Sequence, residues 1–286
     1  MERFPKVFII ILNYNGKDFI KRNLLSVFGI AYPNFKVVLV DNDSADGSLE
    51  IAMGEFSKAI IIRNSANLGF SAGNNVGIRY ALERGADYVM LLNVDTVVEK
   101  NILSDLVWPM EEDQKIGIAS PLIREGNSPN IWFSGGKISW LKMKTAHERK
   151  ERQENYFGSD YISGCAMVVR SEVFKGVGPL DEDYFLYWED ADFSVRARRA
   201  GYKLMVNPAS RIRHFESSER KKDSKLYWMV FSGLLFFRKN SPFWMRPWIF
   251  AYILARKLKN KIDLKLERKI DAKIVSKAYQ DFHYAK

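Results

Sequence analysis

The first hundred residues alternate short apolar runs with longer amphipathic stretches. The runs, at residues 7–12, 37–40, 59–62 and 88–92, are rich in β-branched side chains and bounded by polar turns, which is typical of buried strands. The stretches between them predict helices over 17–28, 47–56 and 72–84, the last ended by Gly85. This alternation predicts βαβ units on a mostly parallel sheet, the usual architecture of a nucleotide-binding α/β domain.

The pattern becomes less regular after residue 100. A capping-box spacing from Thr96 to Glu99 predicts the start of a helix, followed by a helix to about Met110 and a strand at 116–120. Residues 140–156 are polar and lack an apolar period, which predicts a mobile loop. Further along, we expect a strand at 165–169 and a helix that ends before Gly201.

Charge divides the chain into a neutral body and a basic tail. Residues 238–286 hold 13 Lys or Arg and 4 Asp or Glu, whereas the residues before them have a net charge of +1. The main domain is predicted over 1–222, and its first half at 1–100 has the nucleotide-binding pattern. A helical, basic and aromatic extension follows at 223–286.

The tail admits two interpretations. Its apolar patches at 231–237 and 248–255 are interrupted by charges and by Pro247, so they fall short of the roughly 18 residues that a spanning helix needs. Basic charge interleaved with aromatic rings suits a segment lying on an anionic membrane surface. The alternative is a helix packed on the body by its apolar stripe. We expect no nucleic-acid partner, because the body has neither a binding motif nor a basic excess.

The cysteine content and the first residues bear on the cellular setting. A single cysteine, Cys165, excludes a disulfide scaffold and a cysteine-rich zinc site. The first apolar run is too short for the core of a signal peptide. These features predict a cytoplasmic protein, and together with the basic tail they predict a peripheral position at the inner face of the cytoplasmic membrane. Oligomeric state is left open, with a homodimer among the options.

Polar residues follow four successive predicted strands. Since parallel strands bind ligands at their carboxyl ends, Asp41 is a candidate acceptor for the base or ribose of a nucleotide, and Gly69 allows close backbone approach. Turns alone also favour such residues, but four consecutive polar strand ends favour a site. Glycines 69, 73 and 77 are spaced by four, and none follows the first strand, so the dinucleotide fingerprint is absent; the phosphate-binding P-loop is absent too.

Two further constellations carry candidate chemistry. Asp95 at the end of the fourth strand could bind Mg²⁺ or Mn²⁺ together with substrate phosphates, and His214 is a second candidate ligand or diphosphate contact. The acidic run of Glu189, Asp190 and Asp192 opens a helix, where acids favour the dipole. It nevertheless exceeds what helix capping needs and supplies a candidate general base beside Tyr187 and Trp188, whose rings could stack on a sugar.

Together these segments resemble the family 2 glycosyltransferases, in particular the rhamnosyltransferase-like subset, over about residues 5–218. Six ordered motifs carry the resemblance: IILNYN at 10–15, VDNDSADGS at 40–48, NLGFSAGNN at 67–75, LLNVDT at 91–96, ISGCA at 162–166, and the stretch from GPLD at 178 through YWEDAD at 187 to RARRAGY at 196. The resemblance implies a single-domain GT-A fold over 1–222, with a nucleotide-binding half at 1–100 and an acceptor half at 101–222.

The resemblance also implies an activity and a set of residue roles. The expected reaction is inverting transfer from a nucleotide-diphosphate sugar, such as a UDP- or dTDP-sugar including dTDP-rhamnose, to a glycan or lipid-linked acceptor in cell-surface polysaccharide synthesis. The nucleotide-binding set is Asn13, Asn15, Asp41, Asp43, Asn67, Gly69, Phe70, Asn74 and Asn93. The catalytic set is Asp190, as base, with Glu189; the metal set is Asp95 and His214; the acceptor set is Tyr187, Trp188 and Gly164.

One departure from the family pattern affects the metal. The family's Asp-x-Asp has Asn93 as its first member, so one charge is lost and metal affinity without bound nucleotide should be low. Two other functions are weighed against transfer. A nucleotide-sugar-binding module without turnover is disfavoured by the intact Asp95 and Asp190. A sugar-phosphate nucleotidyltransferase would need a glycine-rich loop with basic residues where Asn13 to Gly16 stands.

Overall fold

The computed structural model describes residues 4–152, 155–215, 222–266 and 271–284. Within them the strands are β1 (Val7–Asn13), β2 (Phe35–Asp41), β3 (Ile60–Arg63), β4 (Tyr88–Asn93), β5 (Thr96–Val98), β6 (Ile116–Glu125), β7 (Ile131–Phe133), β8 (Gly136–Ser139), β9 (Lys144–His147), β10 (Phe157–Gly158), β11 (Ala166–Arg170) and β12 (Lys203–His214). The helices are α1 (Lys17–Phe28), α2 (Ser48–Glu55), α3 (Gly69–Glu83), α4 (Ile102–Glu112), α5 (Ser171–Val177), α6 (Glu189–Arg199), α7 (Lys222–Asn240), α8 (Arg246–Lys265) and α9 (Ala272–Tyr284), with a 3₁₀ turn at Phe243–Met245.

The fold is built on one large sheet with the strand order β10-β12-β6-β11-β4-β1-β2-β3. The strands β3, β2, β1 and β4 run parallel, whereas β11 is antiparallel to both β4 and β6. The predicted strands and helices of the first hundred residues are thereby confirmed, with Gly85 in the left-handed conformation after α3. Because the four parallel strands share a direction, their carboxyl ends meet at one edge of the sheet.

Two glycines of α3, Gly73 and Gly77, lie where the helix packs closely against β1. A Cβ atom on Gly77 would lie 2.4 Å from Cγ2 of Ile10, and one on Gly73 would lie 2.6 Å from Cδ1 of Leu12. The spacing of four puts both glycines on the face of α3 that lies against β1. They let the helix approach the sheet closely enough to bury Ile9, Ile10 and Ile11 completely.

Two local predictions after residue 93 are wrong. Thr96–Val98 is the strand β5, not the start of a helix, because it pairs with β12 from more than a hundred residues further along the chain. Part of the predicted mobile loop at 140–156 is the second strand of a hairpin, in which β8 pairs antiparallel with β9. Residues 153–154 of that loop lie outside the described residues.

The tail is partly packed and partly exposed. From α7, the side chains of Leu234, Leu235, Phe236 and Phe237 are buried against the body, and α9 packs on both α7 and α8. The outer face of α8 remains exposed. Across the described ranges, no helix is both long and apolar enough to cross a bilayer. The boundary at residue 222 stays a prediction.

Candidate functional site

The polar ends of three neighbouring strands lie side by side. In the sheet register Asn13 of β1 is level with Asp41 of β2, and Asn93 of β4 is level with Leu12 of β1. The edge that the apolar pattern predicted therefore brings these residues together. It gathers amide and carboxylate groups, of which Asn13 and Asp41 are completely buried.

Asp41 organises the loop after β2. Its Oδ1 accepts a hydrogen bond of 2.8 Å from Nδ2 of Asn13, and its Oδ2 accepts one of 3.1 Å from the backbone N–H of Ser44. Nδ2 of Asn13 also lies 2.8 Å from Oγ of Ser48. Asp41 is completely buried, and its hydrogen bonds hold this loop in place. Its contact with a base or ribose stays a prediction.

Asn15 and Asp43 form the solvent-facing rim of the same loop. Both are exposed and adopt left-handed backbone conformations, with φ of 52° and 65°, which Asn and Asp tolerate better than other side chains. Oδ1 of Asn15 accepts a hydrogen bond of 2.9 Å from the backbone of Ala45, which joins the two rim segments.

An amide network that the sequence analysis did not single out lies behind this rim. Asn42 is buried; its Nδ2 donates to Oδ1 of Asn67 at 2.8 Å and to the carbonyl of Gly69 at 3.1 Å, and its Oδ1 accepts from Asn64 and Leu68. Asn67 is thus held in place by a residue inside the motif that named Asp41 and Asp43. Its position in that motif was the available signal.

The start of α3 joins the nucleotide side to the second half of the chain. Gly69 has φ of +81°, and a Cβ there would lie 2.5 Å from the carbonyl oxygen of Phe185, which also accepts the backbone N–H of Phe70 at 2.7 Å. The ring of Phe70 lies against Gly164, since a Cβ on that glycine would sit 3.2 Å from it. Asn74 donates to the carbonyl of Phe70 at 2.9 Å and so stabilises this first turn.

The predicted metal ligands meet across the β5–β12 ladder. His214 pairs with Thr96 in that ladder, which places its Nε2 3.2 Å from Oδ1 of Asp95. Both side chains are buried. Trp132, which the sequence analysis missed, packs edge-on against His214 with ring centroids 4.6 Å apart, because the antiparallel pairing of β6 with β7 folds it back there.

This pair suits a divalent cation as far as its donors go. A carboxylate and an imidazole are acceptable ligands for Mn²⁺, and Nδ1 of His214 is buried without a hydrogen-bond partner in the described part of the chain. No group of three or more His, Cys, Asp or Glu side chains within the described ranges could hold a metal by itself. Further ligands would have to come from elsewhere, which agrees with the loss of a charge at Asn93.

The three acids at the start of α6 occupy different environments. Asp192 is buried and neutralised, since it accepts from Arg196 at 2.7 Å and from Asn240 of α7 at 2.7 Å. Asp190 is half-buried, and its two oxygens accept the backbone N–H groups of Gly164 at 3.0 Å and of Ala191 at 2.7 Å. Among these acids Asp190 alone combines orientation by the backbone with partial exposure.

The buried carboxylate of Glu189 has fewer hydrogen-bond partners than those of Asp190 and Asp192 in the described part of the chain. Only 5% of it is exposed, and its Oε2 has no hydrogen-bond partner among the described residues. Burial, followed by the charge of Asp190, raises the pKa of Glu189 well above its usual value. Burial also raises the pKa of Asp190, although the N–H groups of Gly164 and Ala191 oppose that rise. A carboxylate with a raised pKa is a better proton acceptor at neutral pH.

Tyr187 and Trp188 hold a strained connection to α6. They are consecutive non-glycine residues with left-handed φ values of 65° and 72°, a conformation that persists only where the surroundings impose it. The Trp188 ring packs against Phe236 and Phe237, and its Nε1 donates to the carbonyl of Met229 at 3.0 Å. The ring predicted to stack on an acceptor is therefore engaged with α7, and an acceptor contact by either residue stays a prediction.

Comparison with solved structures shows the same fold in nucleotide-sugar enzymes. GalNAc-T7 with UDP, GalNAc and Mn²⁺ superposes with a TM-score of 0.64 at 18% identity, over 80% of this chain and 48% of that one. The mannosyltransferase PcManGT of Pyrobaculum calidifontis, in complex with GDP-Man and Mn²⁺, superposes with a TM-score of 0.62 at 15% identity, over 99% of this chain and 76% of that one. The fold is GT-A, as the resemblance implied.

Comparison with curated proteins gives similar relatives. The chain is 30% identical to the low-salt glycan biosynthesis hexosyltransferase Agl10 of Haloferax volcanii over 199 residues, which cover 68% of this chain and 62% of that protein, so it spans less than two thirds of Agl10. It is 25% identical to the N-acetylglucosaminyl-diphospho-decaprenol L-rhamnosyltransferase of Mycobacterium tuberculosis over 241 residues, or 75% of this chain and 78% of that one.

A further relative and a family profile complete the comparison. The rhamnosyltransferase WbbL of Escherichia coli is 25% identical over 228 residues, which cover 75% of this chain and 85% of WbbL. Residues 8–177, more than half of the chain, match the profile described as Glycosyl transferase family 2. These residues include the strand edge, Asp95 and Gly164. The chain belongs to glycosyl transferase family 2.

Proposed function

We propose that this chain is an inverting, metal-assisted glycosyltransferase that moves a sugar from a nucleotide-diphosphate donor to an acceptor hydroxyl in the synthesis of a cell-surface polysaccharide. The observation that carries the proposal is the placement of Asp190. Its carboxylate is oriented by the N–H of Gly164, and Gly164 contacts Phe70 at the start of α3, on the nucleotide side of the sheet. A proton acceptor thus lies next to the predicted donor site.

Asp190 acts as the general base in this proposal. The acceptor oxygen attacks the anomeric carbon as Asp190 takes its proton, and the bond between that carbon and the diphosphate oxygen breaks, with its electron pair leaving on the diphosphate. A single displacement of this kind inverts the anomeric configuration. The two backbone donors fix the carboxylate before substrate arrives, and partial burial raises its basicity.

Asp95 and His214 would hold a divalent cation together with the donor diphosphate. Such a cation, when bound, neutralises the negative charge that develops on the leaving diphosphate. The two residues supply one carboxylate and one imidazole, and the diphosphate oxygens would complete the ligand set. The chain's own contribution is to keep these two groups 3.2 Å apart and buried beside the polar strand edge.

The donor is proposed to be a deoxysugar nucleotide such as dTDP-rhamnose, with a UDP-sugar as the second candidate. Support comes from rhamnosyltransferases among the relatives, one of which is named for N-acetylglucosaminyl-diphospho-decaprenol. By analogy the acceptor is lipid-linked. The enzyme would then work as a peripheral protein at the cytoplasmic face of the membrane, held there by its basic tail.

A thermal-shift titration with dTDP, UDP and GDP, each with and without Mn²⁺, tests the donor site first. We expect metal-dependent stabilisation by one nucleoside diphosphate. The purified chain is then given the matching sugar nucleotide and an N-acetylglucosaminyl-diphospho-polyprenol, whose sugar supplies the acceptor hydroxyl, and product is sought with the inverted anomeric configuration. Nucleotide binding without any transfer would identify a binding module and contradict the proposal.

A further inference from the structure

Exposed large apolar side chains are concentrated on one surface outside the site. The 3₁₀ turn at Phe243–Met245 exposes 75% of Phe243 and 68% of Trp244. On α8, which follows, Phe250, Leu254 and Leu258 are also exposed, and their spacing of four residues puts them on one face over about 12 Å. Clusters of this kind on a soluble surface usually mark an interaction site.

The tip of the β8–β9 hairpin belongs to the same surface. Nε1 of Trp248 donates to the carbonyl of Leu141 at 3.0 Å, and the hydroxyl of Tyr252 donates to the carbonyl of Lys142 at 3.1 Å. Both donors are on α8, so the helix and the hairpin tip are fastened together. Leu141 itself is 66% exposed and extends the apolar surface beyond the helix.

The positive charge of this surface favours an anionic bilayer over a second copy of the chain as its binding partner. Residues 243–266 contain six Lys or Arg and one Asp, and Lys142 and Lys144 add to the positive charge at the hairpin tip. Two copies of this chain would bring like charges together. An anionic lipid bilayer has an apolar interior that can bury these side chains and headgroups of opposite charge. Aromatic rings such as Trp244 suit its interface. No described helix can span a bilayer, so the surface would lie on it.

We propose that the exposed face of α8, the turn before it and the hairpin tip form one surface that docks on a bilayer containing anionic phospholipid. The surface is connected to the acidic motif. Trp140 at the hairpin tip stacks on Phe236, and Phe236 packs against Trp188, which directly precedes Glu189. In this proposal docking holds the predicted acceptor side of the site near the membrane through these ring contacts.

Only the position of the acceptor side relative to the membrane rests on the proposed function. Lipid binding itself is measured without donor or acceptor, so it can fail or succeed independently of that function. The double variant Phe250→Ser with Leu254→Ser is compared with wild type by co-sedimentation with mixed phosphatidylglycerol and phosphatidylcholine vesicles. We expect vesicle partitioning to fall about tenfold or more, since two large apolar side chains no longer leave water. Met53→Ser, an equally exposed apolar residue on α2, is the control and should bind like wild type.

A second variant tests the hairpin. Because Cys165 is buried and is the single cysteine of the chain, Leu141→Cys can be labelled selectively with a polarity-sensitive dye. We expect its emission to shift to the blue when the anionic vesicles are added, with less effect from pure phosphatidylcholine. Wild-type binding by the double variant, or an unchanged emission at position 141, would overturn the proposal. So would a dimer in light scattering that the double variant dissociates, because the surface would then bind a second copy.

Discussion

The imidazole Nε2 of His214 lies 3.2 Å from Oδ1 of Asp95, although the two residues are 119 positions apart along the chain. The ladder between β5 and β12 creates this contact by placing His214 opposite Thr96. The pair is buried, so removal of either side chain takes this buried contact from the other.

The first prediction concerns this pair. His214→Ala should raise the Mn²⁺ concentration needed for nucleoside-diphosphate binding by at least about tenfold, because even outer-shell partners of a metal are worth that much. Calorimetric titration of the nucleotide at a series of Mn²⁺ concentrations measures the effect without any transfer. His283→Ala, near the end of α9, serves as the control. An unchanged Mn²⁺ requirement would remove His214 from the metal site.

Asp190→Asn should collapse turnover while leaving donor binding in place. The amide keeps the shape of the side chain but accepts no proton at neutral pH, and general-base catalysis is typically worth about 10²–10⁴ in rate. Initial rates and donor affinity are measured on the same preparation. Asp183→Asn, an exposed acid in the preceding loop, should behave like wild type. Lost donor binding with a normal residual rate would contradict the role of base.

Glu189→Gln should stabilise the protein, and increasingly so as the pH rises. The pKa of Glu189 is raised in the folded state, so the folded protein holds this proton more tightly than the unfolded chain does. Wild-type stability therefore falls as pH increases above the ordinary value of about 4.3, and glutamine removes that loss.

The measurement is the melting temperature of both proteins from about pH 5 to about pH 8, a range in which buried carboxylates titrate. The gap between variant and wild type should widen towards pH 8. Glu83→Gln, an exposed residue at the end of α3, should show a constant gap near zero. A variant that is destabilised at every pH would show that Glu189 is stabilising as a charged group.

Gly69→Ala should destabilise the fold by about 2 kcal/mol or more, because the residue has φ of +81° and the added methyl meets the carbonyl of Phe185. Gly54→Ala is the matched control: it lies in α2, its Cβ would meet nothing within 4 Å, and it should be neutral or slightly stabilising. Urea unfolding of both variants measures the difference. Equal stabilities would show that the 69–70 turn can shift.

Local patterns predicted what local physics determines. The strands β1, β2 and β4 were predictable because each is an apolar run buried on both faces, and the meeting of Asn13 with Asp41 followed from their parallel direction. The strand β5 was not, since its three residues take extended form only through β12. Trp132 was missed for the same reason: its neighbour His214 comes from a distant strand.

The acidic motif required more than periodicity. Three acids opening a helix satisfy the dipole whichever of them is functional, and only tertiary contacts separate them. Asp192 is paired with Arg196 and Asn240, whereas Asp190 receives the N–H of Gly164, 26 residues earlier. The family resemblance alone favours Asp190, and its catalytic role stays a prediction.

The side chain of Asn75 connects distant parts of the chain as a peptide group would. Its Nδ2 donates to the carbonyl of Leu180 at 2.8 Å and its Oδ1 accepts the N–H of the same residue at 3.1 Å, all in a buried setting. A polypeptide ending at residue 100 would leave this buried amide with neither bond. The hydrogen bonds of α3 thus include a partner from the second half of the chain, and the helix has its full set only once Leu180 is in place.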